Sequence, residues 1–404
     1  MLWHDFNNAR NLQMRVVNDV LRVVLLFLLA SLTVSQLAKM TVFYDDFAAL
    51  RPESAPSQNI LISLFGIVSI AGGLGYDYFR RFASDVRLMF IAMMLAVLST
   101  ALIMVPDRNV ILLSRAGEAM AHILFVISAP AVAFLVLPER SRTAFMALWG
   151  TFFTVGFLIN EGFLARMVRP SVVDFWILQP ALLLVGAILA FALFRISPTF
   201  SSDAGSGDAY GDSRQDLTLL QILPSISLSI AFFLYATMFI VWKIRPELGL
   251  ADIEHPAEPA LLSIYALGGN LLAIFFLWAI RARWFAQFLM ICGFLALSVG
   301  QLIATGQASE LKFAMLGILP VAIFSCAGSV AQHPRHMAFS VSLIMIAGNL
   351  ATFAAPVSMR VLSLGTVGAT TAGAFFLGLA FVSATSVSGR LRSALAAQDG
   401  KLLP

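Results

Sequence analysis

Val110-ILLSRAGEAMAHILFVISAPAVAFLV-Leu137 is the stretch on which the fold turns. As a helix it places Arg115, Glu118 and His122 at i, i+3 and i+7, on one face. Within a bilayer each such charge costs about 2.5–3.5 kcal/mol on insertion scales. Charged residues at that depth call for partners or a purpose, so the rest of the chain must show whether this helix crosses a membrane.

Composition answers first. The 404 residues are 59% hydrophobic and 12% charged, with a mean hydropathy of +0.88. Soluble domains carry about 25% charged residues, because even a large core needs a charged surface. A polytopic membrane protein does not. The net charge of +4 and pI near 9.3 then point to arginines flanking membrane helices and not to a nucleic-acid partner. Cys292 and Cys326 lie in apolar runs without metal or redox spacing and read as small buried hydrophobes.

A spanning helix needs about 20 mostly apolar residues. Twelve stretches qualify: 22–44, 59–79, 86–106, 110–137, 143–166, 174–195, 217–242, 259–280, 284–304, 312–331, 337–358 and 364–387. The first follows Arg10, Arg15 and Arg22. Its apolar run, Val23 to Met40, is longer than a signal-peptide core, so it reads as an uncleaved helix entering from the cytoplasm. With both termini cytoplasmic, sixteen of the 26 basic residues fall inside and eight outside, as the positive-inside rule requires. Lys39 and Arg115 are embedded. Trp242, Trp278 and Trp284 fall at span ends, where an aromatic belt sits.

Ser197 to Asp216, SPTFSSDAGSGDAYGDSRQD, has almost nothing to bury and reads as a flexible cytoplasmic linker. It divides the chain into residues 1–196, 197–216 and 217–404, with six spans on each side. Arg142-Thr-Ala144-Phe145 opens the fifth span and Arg335-His-Met-Ala338-Phe339 the eleventh, a short echo that fits duplicated halves. The expected fold is an all-α membrane protein of 12 transmembrane helices in two pseudo-symmetric six-helix bundles.

Between spans 2 and 3 stands Gly73-Leu-Gly-Tyr-Asp77-Tyr-Phe-Arg80-Arg81. It resembles the loop of the major facilitator superfamily, which has Gly, three residues, Asp and then a basic cluster. The resemblance implies that Gly73, Asp77, Arg80 and Arg81 brace a cytoplasmic gate, with Asp77 near the start of span 11. A carboxylate there gains about 0.3–1 kcal/mol from the helix N-terminus. Span 4 resembles, in part, the Arg-x-x-Gln-Gly of the family's drug–proton exchangers. Here it reads Arg115-Ala-Gly-Glu118-Ala119, and span 5 has Asn160-Glu161 where those exporters carry Gly-Pro. By the same resemblance spans 1, 4, 7 and 10 line a central cavity, so Gln36, Tyr235 and Ser325 are the expected solute contacts.

Depth groups the charges. At about 1.5 Å per residue, Arg115 and Glu118 lie about 8 and 12 Å below the outer surface, and Lys39 and Glu161 about 25 and 27 Å above the inner one. The four therefore share one layer. In one reading Glu118 or Glu161 exchanges a proton while Arg115 and Lys39 bias it. In the other they form a permanent ion-pair network among spans 1, 4 and 5. Glu161 also suits a span end facing outside water. His122, one turn below Glu118, suits either a relay or packing. Asn270, Gln301 and Asn349 suit helix packing, and Gly268-Gly269, Gly317 and Gly348 close helix contact.

The expected function is secondary active transport of a small organic solute by alternating access, coupled to protons, with export favoured by the partial span-4 resemblance. No enzymatic activity, cofactor or metal is expected. The expected partners are the solute, protons and the lipid bilayer, and the chain is expected to act as a monomer in the inner (plasma) membrane. An uptake porter or facilitator for a small carboxylate is the alternative within transport. A non-transporting receptor of the same fold is the alternative outside it.

Overall fold

A computed structural model of the chain describes residues 2–164, 172–195, 219–244, 259–280, 284–303, 309–331 and 334–361. The linker expected at 197–216 and the span expected at 364–387 lie outside the described residues. Among those described, every regular element is a helix. Before the linker come α1 (Leu2–Val42), α2 (Tyr44–Leu50), α3 (Gln58–Leu74), α4 (Tyr76–Phe79), α5 (Asp85–Leu102) and α6 (Arg108–Val136). The fifth expected span is broken into α7 (Glu139–Trp149), α8 (Phe152–Leu158) and a π-helical turn, Ile159–Leu164, and α9 (Val172–Arg195) comes next. After the linker come α10 (Leu219–Ile244), α11 (Pro259–Ala279), α12 (Phe285–Ile303), α13 (Ser309–Val330) and α14 (Pro334–Val361).

Among the described residues, eight stretches are long and apolar enough to cross a bilayer, and the shorter apolar helices Gln58–Leu74, Leu178–Phe194 and Phe285–Leu297 accompany them. Leu74, Phe82, Leu113, Ile188, Phe275 and Trp278 are all exposed. Water-soluble monomers rarely present so much contiguous apolar surface, whereas lipid accepts it at no cost. The chain is an all-α, multi-pass membrane protein.

Helix ends near lipid must satisfy their last carbonyls within the protein. Three arginines do this. Arg22 donates to Leu193 O at the end of α9 (3.0 and 3.2 Å). Arg51 donates to Ile103 O and, at 2.7 Å, to Met104 O, just past α5. Arg142 donates to Phe134 O in the last turn of α6 (3.0 Å). A cation also suits the negative end of a helix dipole, so these residues do more than set orientation.

Before the linker, α1 packs on α6 and α8, and α3 and α5 both pack on α6. After it, α10 packs on α13 and α14, and α11 and α12 both pack on α13. Across the two groups, α3 and α6 meet α14, while α8 meets α11 and α7 meets α13. Glycine permits the closest approaches. A Cβ on Gly150 would lie 2.6 Å from Pro320 O and 2.7 Å from Val321 Cα, where α13 carries an internal proline. A Cβ on Gly66 would lie 2.9 Å from Asn349 O of α14. Gly269 abuts Ala314 and Gly317 abuts Ala266, as close helix contact requires, but Gly268 has nothing within 4 Å. Of the Gly-Gly pair, only the second is a packing glycine.

Gly150→Ala must push backbone against backbone, and overpacking of that kind costs about 1–3 kcal/mol. Gly268→Ala meets open space and gains up to about 1 kcal/mol of helix propensity. Thermal unfolding of the two variants in lipid nanodiscs should therefore move in opposite directions from wild type.

Candidate functional site

The face of α6 that carries Arg115, Glu118 and His122 turns inward, and all three side chains are buried. Lys39, from the last turn of α1, meets them. Its ammonium donates to Glu118 Oε1, and Arg115 Nη1 donates to Glu118 Oε2 at 2.9 Å. One carboxylate thus holds two cations, and the side chains of Lys39, Arg115 and Glu118 are 0% exposed. In their ordinary charge states the three sum to +1.

Neighbouring helices supply the remaining acceptors. Lys39 also donates to Gln179 Oε1 of α9 (3.2 Å), whose amide donates to Ser35 Oγ (2.7 Å). Arg115 donates to Gln36 O (2.6 Å) and Leu61 O (3.1 Å), and its guanidinium lies 4.4 Å from the Phe65 ring centroid, a cation–π distance. Its Nη2 is buried without an acceptor. Gln36 bonds Thr100 Oγ1 at 2.6 Å. Its backbone oxygen and side chain thus both lie in this cluster.

Glu161 lies to one side. The π-helical turn adds a residue to its ring and re-aims the side chains after it. Asn160 donates to Ser35 O (3.0 Å), one turn before Lys39, while Glu161 Oε2 accepts from Ser263 Oγ of α11 (2.7 Å). Successive side chains thus address the two helix groups. His122 is not bonded to Glu118. Its Nδ1 is 3.2 Å from Thr33 Oγ1, and its ring is 5.4 Å from that of Phe65. The Thr33 hydroxyl already donates to Ala30 O (2.8 Å), so the imidazole nitrogen is the donor.

Toward the other end of α3, the expected gate residues take a different arrangement. Arg80 forks onto Asp85, with Nε to Oδ1 at 2.9 Å and Nη2 to Oδ2 at 3.1 Å, and Tyr76 adds a 2.8 Å hydrogen bond. Asp85 is 1% exposed. Asp77 is 73% exposed and 3.9 Å from Arg80. It lines a cleft of about 110 Å³ with Ala338, Phe339 and Ser342 of the first turns of α14, and Ser342 donates to Gly73 O (3.1 Å). Arg81 is exposed. The buried acid of this corner is therefore Asp85, and Asp77 stands at the start of α14.

Tyr235 is fully buried beside the rings of Phe232 and Phe239 on its own helix, and Ser325 is 1% exposed on α13. Gln179, Phe65, Thr33 and Asp85 are site residues that sequence reasoning passed over. Gln179, a lone amide in an apolar run just before Pro180, carried the same signal as Lys39. Among the described residues no three His, Cys, Asp or Glu side chains gather as a metal site would need. No protein-family model matches the chain, and no curated protein matches it in sequence.

Breaking a buried ion pair by removing one partner costs about 3–5 kcal/mol. Glu118→Ala leaves two cations together and should lose that much in thermal unfolding. Lys39→Met leaves the Arg115–Glu118 pair intact and should lose clearly less. At the other corner, Asp85→Ala should cost about 3 kcal/mol, because it removes the buried carboxylate that holds both Arg80 and Tyr76, and Asp77→Ala less than about 0.5 kcal/mol.

Proposed function

We propose that the chain is a secondary transporter of the major facilitator type that moves a small organic solute by alternating access. The observation that carries this is the repetition of helix contacts across the linker. The pairs α1–α8, α3–α6, α5–α6 and α1–α6 recur as α10–α14, α11–α13, α12–α13 and α10–α13. The contacts between groups obey the same exchange: α3–α14 matches α11–α8, and α6–α14 matches α13–α7. Two like bundles facing each other have the geometry that rocking around a central site needs. A twelfth span after α14 would complete the second bundle.

Protons are the coupling ion in this proposal, and Glu118 carries them. It is the carboxylate that Lys39 and Arg115 share, so adding a proton to it would release both cations at once. Intramembrane ionisable groups of this kind mark ion pathways by default. The distribution of arginines favours cytoplasmic termini in an inner (plasma) membrane, and the span-4 resemblance favours export. A small carboxylate as solute is a second reading, favoured by one observation: Arg115 Nη2 is buried without an acceptor.

Everted membrane vesicles loaded by an imposed pH gradient test this proposal. Wild type should concentrate a transported solute when the gradient is present and lose it on collapse. Glu118→Gln should still exchange solute across the membrane but ignore the gradient. Unchanged gradient dependence in a folded Glu118→Gln protein overturns the coupling role.

A further inference from the structure

A chain of buried rings crosses the boundary between the two helix groups. It runs from Trp149 of α7 to Phe152 of α8 (5.4 Å between centroids), then to Phe324 of α13 (6.1 Å), Phe232 of α10 (5.4 Å) and Tyr235 (5.4 Å). Phe239 continues it from Tyr235 (5.8 Å) back to Phe153 and Phe157 of α8, both at 5.4 Å. Trp149, Phe152, Phe232, Tyr235, Phe239 and Phe324 are each at most 1% exposed.

Polar atoms are set into this apolar wall with few or no partners. Trp149 Nε1 and Ser325 Oγ, beside Phe324, are buried with no hydrogen bond. Tyr235 Oη and Thr154 Oγ1, buried as well, lie beside each other and have no other partner. Native interiors pair nearly all such groups, and each exception asks for an explanation. All four atoms lie on the helices whose rings meet at one boundary. Phenylalanine and valine would fill the same space without the penalty.

We propose that Trp149, Thr154 and Tyr235 form the polar edge of a solute site between the two helix groups, and that the site takes an uncharged planar aromatic molecule bearing a hydrogen-bond acceptor. The indole N–H only donates, so the solute must present an acceptor to it, while the two hydroxyls accept or donate. The rings supply stacking surfaces. The ring-bearing stretches 149–160, 228–241 and 313–331 contain no Asp, Glu, Lys, Arg or His, and Glu161, at the end of the first, turns to Ser263 of α11. An anion or cation would be desolvated there without a counter-charge. The proposal rests on the transport reading, because the rings touch one another in this structure and part only when the helix groups separate.

Coumarin, an uncharged planar ring with a carbonyl acceptor, and coumarin-3-carboxylate, its anionic counterpart, make the test. Equilibrium dialysis against the full chain in lipid nanodiscs, with empty nanodiscs as the partition control, should show saturable binding of coumarin. The carboxylate should bind at least about tenfold more weakly. Trp149→Phe, Thr154→Val and Tyr235→Phe, which keep shape and remove one polar atom each, should weaken coumarin binding by about five- to tenfold. Without ligand Trp149→Phe should unfold no lower than wild type, since its indole N–H has no hydrogen bond to lose. The proposal is overturned by absence of saturable coumarin binding, by equal binding of the carboxylate, or by variants that bind as wild type does. Variants that unfold lower while binding normally would also overturn it, by assigning these atoms to packing. The two readings fail separately. Coumarin binding without gradient-driven transport of any solute sinks the transporter and leaves the site, and gradient-driven transport without coumarin binding does the reverse.

Discussion

Glu118 between Lys39 and Arg115 is the interaction on which the rest of the structure depends. It ties α6 to α1 at a fixed height, and the acceptors around it draw in α3 through Leu61 O and α9 through Gln179. Four helices of one group are thereby fixed by one set of charges with no exposure to water. Such a cluster is weak evidence for stability, because a well-packed apolar replacement is often as stable or more so. Holding α1, α3, α6 and α9 together would not by itself require charge. A role in which the charge changes gives the cluster a reason to be ionic, and that is the physical ground of the coupling proposal.

The cluster is connected to the second helix group by hydrogen bonds joined through the backbone at Ser35 and at Asn160–Glu161. Lys39 bonds Gln179, Gln179 bonds Ser35, and Ser35 O accepts from Asn160. The next residue, Glu161, accepts from Ser263 on α11. The π-helical turn makes this possible, since it lets neighbours on one helix face opposite groups. In the transport proposal this is the mechanical route by which a charge change at Glu118 reaches the boundary. Contiguity alone is not coupling, but both ends of this run sit on elements that must move if the bundles rock.

A membrane helix reveals some things in its sequence and hides others. Depth can be read, because residues rise at a constant rate along the axis: Lys39, Arg115, Glu118 and Glu161 were expected at one level; the first three meet, and Glu161 bonds Ser263. Azimuth is hard to read, because helices that are apolar all round give no buried stripe to orient them. The hydrogen bond from Gln36 to Thr100 of α5 is a contact that depth alone could not supply. The same blindness hid the partner of Glu161 on α11 and the difference between Gly268 and Gly269. At the gate corner the resemblance drew attention to Asp77. The chain turns back within a few residues, and Ser84 caps α5 so that buried Asp85 faces Arg80. Only the folded turn shows that.

The separation of charges from rings has a physical logic of its own. An interface that opens and closes exposes its side chains to different partners in each state. A charge placed there would be paired in one state and stranded in another, at a cost of several kcal/mol each time the bundles close on it. Lys39, Arg115 and Glu118 pair with one another within one helix group, away from that boundary. Uncharged rings and single hydroxyls lose far less on being uncovered, so they suit the moving boundary. Glu161 is the instructive exception. It reaches across the boundary to Ser263, but it is only partly buried, so in the transport proposal water could take the serine's place if the groups parted, and the carboxylate would not stand bare in an apolar medium.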